Sequence, residues 1–152
     1  MLLKNHMKKT LLLLMVCLGL ACKKKTVNAE DDITKYSWPL QSATVSPALL
    51  INGQLETDFK TKSASQACLN HNYSIEFFKS GNFAFGSNGP LCDMISYKNA
   101  TWVKNGSQIT LNYGTGSSHT IQISGSVITD KYVFEQNNTT YTVTYIFTAK
   151  PK

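Results

Sequence analysis

The sequence predicts an all-β protein, an antiparallel meander of about eight short strands closed into a barrel or, without closure, folded as a β-sandwich. Three observations predict it. β-Branched and aromatic residues dominate from residue 36 onward, and no window places apolar residues at helical spacing over a useful length. Apolar residues recur instead at every second position. Turn pairs such as Asn52-Gly53, Gly81-Asn82, Asn105-Gly106 and Asn137-Asn138 cut that alternation into short runs. Closing the meander removes the unpaired edges that a flat sheet would expose.

The first 21 residues are not expected to belong to the domain. Met7-Lys8-Lys9-Thr10 is a basic start and residues 11–20 are a short apolar run, too short to span a bilayer and typical of a cleaved signal peptide. The run ends in Leu18-Gly19-Leu20-Ala21-Cys22, which resembles a bacterial lipobox, with Gly19 where that pattern prefers an aliphatic residue. Cys22 is then the lipidation site, and the chain's expected partner is a membrane, held through that N-terminal anchor. Residues 22–34 read as a flexible tether, since Lys23-Lys24-Lys25 gives way to Glu30-Asp31-Asp32 without apolar periodicity. The domain is expected over residues 35–150.

Residues 36–41 alternate Tyr36, Trp38 and Leu40 with polar positions, and Pro39 places this strand at an edge or a strand end. A second strand is expected over 44–51, interrupted by Pro47, and a weak third over 55–60. Residues 61–72 read as a polar loop carrying Cys68 and His71. The strongest signal is the hairpin of residues 73–85, where Tyr73, Ile75 and Phe77 share a face that Phe83 and Phe85 resume after the turn. Residues 86–90 form a loop leading to Cys92. Strands follow over 97–103 with Trp102, 109–113 with Tyr113, 119–123 with His119 facing as Ile121 does, and 127–134. The last strand is the most regular, with Tyr141, Val143, Tyr145 and Phe147 alternating with threonines.

Charge excludes one function class. The formal charge is +6, yet every basic residue is Lys, and nine Lys face nine acidic residues from residue 26 onward. A nucleic-acid binder needs Lys and Arg clustered on its folded face, so no nucleic-acid partner is expected. Catalysis is not expected either, because no Gly-x-Ser-x-Gly, His-Glu-x-x-His or phosphate loop is present and the carboxylates are scattered. No cofactor and no metal site are expected. Cys68 and Cys92 remain as a pair in an exported domain, and a disulfide is the simplest reading.

Taken together, Cys22 with its polar tether, the opening Tyr36-Ser37-Trp38-Pro39-Leu40-Gln41-Ser42, the two flanking cysteines, Ala100-Thr101-Trp102 and the closing Tyr-Thr-Val-Thr-Tyr-Ile-Phe-Thr resemble the lipocalin-like lipoproteins of the Bacteroidota. The resemblance covers about residues 36–150, with Tyr36 where the broader lipocalin signature carries Gly. It implies a lipocalin-like barrel, a monomer, tethered to the cell envelope, and Lys23 after Cys22 favours the outer membrane. A small apolar ligand or a glycan would meet Trp38, Tyr73, Phe77, Phe83, Phe85, Trp102, Tyr113, Tyr141 and Tyr145. An eight-stranded barrel is just wide enough to hold one small ligand or to be filled by its own side chains. The competing expectation is a filled barrel acting as a non-catalytic interaction or assembly protein.

Overall fold

The computed structural model describes residues 28–88, 99–114 and 116–152. The expected signal segment, Cys17, Cys22 and Cys92 lie outside the described residues.

Among the described residues the strands in chain order are β1 (Tyr36–Ile51), β2 (Gln54–Asp58), β3 (Ser74–Phe77), β4 (Phe83–Gly86), β5 (Thr101–Asn105), β6 (Gln108–Asn112), β7 (Ser118–Ser124), β8 (Val127–Gln136), β9 (Thr139–Thr148) and β10 (Lys150–Pro151). Eight form an antiparallel sheet in the order β4-β3-β1-β9-β8-β7-β6-β5, while β2 and β10 each pair with β1. The sheet curls until its two ends meet. An Asn82–Thr101 bridge joins them, Trp102 N–H donates to the Gly81 carbonyl (2.9 Å) and Asn82 Nδ2 to the Ala100 carbonyl (3.0 Å). The nearly closed barrel is the expected fold class.

Residues expected as two strands form the single sixteen-residue β1. Its inward phase is Trp38 and Leu40, then Ala43 and Val45, because Gln41 is an extra residue that the β9 ladder skips. Such a bulge reverses which alternate residues face inward. It also leaves carbonyls without ladder partners, and Lys60 Nζ donates to those of Leu40 (3.0 Å) and Gln41 (3.3 Å). Pro39 was expected at an edge or a strand end but sits within a strand flanked on both sides. β10 pairs residues 36–37 and β9 takes over at Leu40, so Pro39 falls in the gap between them, where no donor is needed.

Two further expectations are corrected. The third strand ends at Asp58, a helical turn, α1 (Phe59–Lys62), replaces its expected end and the start of the loop, and a second, α2 (Gln66–Leu69), lies within the segment read as loop. Asp58 caps α1 by accepting from Thr61 N–H, Phe59 packs against the core and Leu69 is buried, so apolar side chains at the two ends dock a segment that is otherwise mostly polar. Residues ahead of Lys35 also pack against the barrel. Ala29 and Ile33 are buried beneath the barrel, Glu30 Oε2 accepts from Gly125 N–H (3.1 Å), and a 3-10 turn over Ile33–Lys35 brings the Ile33 carbonyl to Trp38 Nε1 (3.1 Å).

Candidate functional site

The two ends of the barrel differ. At the end marked by the 3-10 turn and the β7–β8 turn, Trp38, Phe77, Ile109, Ile123, Ile128 and Phe147 are at most 1% exposed. Rings lock together across the strands there: Phe77 meets Trp102 edge to face at 5.5 Å, and Phe83 meets Tyr113 at 5.6 Å. That half of the interior is filled by side chains. No described buried side-chain polar atom lacks a partner.

Toward the β8–β9 turn the wall opens. The β7–β8 ladder runs only from Ser124–Val127 to Gln122–Thr129. β7 continues back to Ser118 on β6, and β8 continues to Gln136 on β9, with no ladder joining the two among the described residues. The inward phase of β8 is Ile128, Asp130, Tyr132 and Phe134, opposite Phe147, Tyr145, Val143 and Tyr141. Tyr132 is therefore an inner-face residue, yet it is 58% exposed, because no neighbouring strand covers it. Tyr132, Phe134 and Tyr141 stand as a stack, with ring centroids 6.1 and 5.3 Å apart.

Among the described residues, one polar contact spans this slit. His119 on β7 and Asp130 on β8 meet through Nε2 and Oδ1 at 2.5 Å, with side chains 34% and 16% exposed. The carboxylate only accepts, so Nε2 carries the hydrogen. Asp130 faces Tyr145 across the β8–β9 ladder, and Phe59 of α1 packs edge-on against Tyr145 at 6.4 Å. The Tyr145 hydroxyl is pushed up to about 12, first by burial and then by the charge of Asp130 and by Tyr132. It stays a neutral phenol at physiological pH.

The expected site residues converge on the interior but divide between its ends. Trp38, Phe77 and Phe83 are buried in the filled part, with Trp102 packed against it. Tyr73 stacks on Phe85 at 5.8 Å and reaches Phe147 at 6.2 Å, so both belong to the core margin. Tyr113 adjoins Phe83, while Tyr141 and Tyr145 line the open end. Of the cysteines expected to pair, Cys68 is disulfide-bonded, and Cys92 lies outside the described residues. His71 is exposed and its carbonyl, not its ring, takes part in the loop by accepting from Ser87 Oγ (2.8 Å).

Sequence reasoning missed Asp130, Tyr132 and Phe134. The signal was present: Asp130 sits in phase with Ile128 and Phe134, and an acid on the apolar phase of a strand marks a polar group directed inward. An imidazole–carboxylate pair is also half of a general-base arrangement. His119 has no hydroxyl or thiol bonded to its ring among the described residues, so the pair lacks a nucleophile there. No group of three His, Cys, Asp or Glu suited to a metal ion occurs among the described residues. No described helix is long and apolar enough to cross a membrane. No protein-family model, curated protein or solved structure matches the chain.

Proposed function

We propose that this chain is a lipid-anchored lipoprotein of the bacterial cell envelope, whose lipocalin-like barrel binds a small apolar molecule or a glycan at its open end. The observation that carries the reading is Tyr132, an inner-face aromatic left 58% exposed beside the stacked rings of Phe134 and Tyr141. Exposed apolar rings on the inside of a barrel are costly unless something covers them, and pockets of this kind bury most of a small ligand. Anchoring belongs to Cys22, and Lys23 after it favours the outer membrane.

A second reading is favoured by the filled end, where Trp38, Phe77 and Phe147 leave the interior occupied. On it the chain is a non-catalytic interaction or assembly lipoprotein whose loops make the contacts.

Native mass spectrometry of the purified recombinant domain separates the two. The carrier reading expects a co-purified small molecule whose occupancy falls in Tyr132→Ala. A domain that is always empty, with no uptake from a lipid and oligosaccharide extract, favours the second reading. Metabolic labelling with palmitate tests the anchor: label is expected on the wild type and absent from Cys22→Ser.

A further inference from the structure

The polar and apolar parts of the slit lie side by side, and their chemistry restricts what fits. Asp130 Oδ1 is occupied by His119, whereas Oδ2 takes no hydrogen bond from any described residue. His119 uses one of the carboxylate's two oxygens and leaves this acidic group room for a second donor. Few cations compete for that group. Lys131 lies on the outer phase of β8, and the inward-phase lysine of β5, Lys104, pairs with Ile109 at the filled end. The chain contains no Arg. An anionic head group such as a fatty-acid carboxylate would meet Asp130 with no described partner of opposite sign.

We propose that the slit between β7 and β8 takes an organic ammonium, its head bonded to Asp130 Oδ2 and its apolar body laid along Tyr132, Phe134 and Tyr141. The proposal rests on the small-molecule reading above and narrows its ligand class. Hydrogen bonds between an ammonium and a carboxylate are roughly twice as strong as neutral ones. Aromatic rings within about 6 Å add an attraction for the cation that a neutral head group does not receive. His119 acts as a positioning residue, holding the carboxylate so that its second oxygen is presented.

Three probes with related bodies test it by calorimetry on the full chain: 2-phenylethylammonium, 2-phenylethanol and 3-phenylpropanoate. The ammonium is expected to bind about tenfold or more tightly than the alcohol, and the carboxylate not at all. Asp130→Asn is expected to remove that tenfold preference while alcohol binding persists, with folding checked by circular dichroism. Tyr132→Ala, at an exposed position, is expected to weaken ammonium and alcohol alike. Equal binding of ammonium and alcohol by the wild type overturns the ammonium inference and leaves the small-molecule reading standing. So does a preference that survives in folded Asp130→Asn. Failure of all three probes at millimolar concentration overturns the inference, and failure of the extract uptake described above overturns the reading beneath it.

Discussion

Tyr145 carries the clearest pH signature in the molecule. Its phenol is pushed up to about 12 by burial, then by Asp130 and Tyr132, from an ordinary value of 10.0. Between those values the unfolded chain has lost a proton that the folded chain keeps. The associated stability is complete below about pH 10 and is lost as the pH rises toward 12. Urea midpoints measured from about pH 9 to pH 11.5 should decline, and Tyr145→Phe should decline less. An identical profile in the variant would mean that the phenol is not held in this environment. Asp58 behaves in the opposite sense. Hydrogen bonds from Thr61 hold its carboxyl below the ordinary range, so its contribution is present above that range and lost as the pH falls through the depressed value. Asp58→Ala should cost roughly 0.5 kcal/mol, the low end for a helix cap, since the site is exposed. At this scale the aromatic positions were readable because each ring repeats at every second residue. The His119–Asp130 contact was not, because residues eleven apart meet only once the β7–β8 hairpin has folded.

The bulge at Gln41 shows why element boundaries were harder to read than element type. Alternation was visible on both sides of it, with Trp38 and Leu40 before and Ala43 and Val45 after, but the phase reverses, and a reversed phase reads as two strands. Deleting Gln41 should restore a continuous phase, with Trp38, Leu40, Ala43 and Val45 facing inward together and no bulge needed. The variant is expected to keep a native-like near-ultraviolet circular dichroism spectrum. An unfolded or molten spectrum would contradict the reading of Gln41 as the one residue that the ladder skips. Lys60→Met keeps the apolar stem and removes the donor to the bulge carbonyls, and should lower stability by about 1 kcal/mol in chemical denaturation. The helical turns after Asp58 were illegible for a different reason. Four residues are too few for periodicity, and the first turn is held by the Asp58 cap and the second by a buried Leu69 and the bonded Cys68 rather than by propensity.

The whole molecule is a barrel stopped at one end and slit at the other. Trp38 anchors the stopped end, buried completely and bonded through its indole to the Ile33 carbonyl, so Trp38→Ala should cost about 3–5 kcal/mol and release the segment before β1. Closure itself was legible, since eight short alternating runs leave few other ways to protect sheet edges. The asymmetry was not, because it depends on where one ladder stops. Residue-resolved amide hydrogen exchange tests that asymmetry most directly. In residues 127–129, paired on both sides, protection should be continuous. In residues 130–136, paired to β9 alone, every second amide should exchange far faster than its neighbours. Uniform protection along the whole of β8 would contradict the slit and, with it, the open end on which the binding site is built.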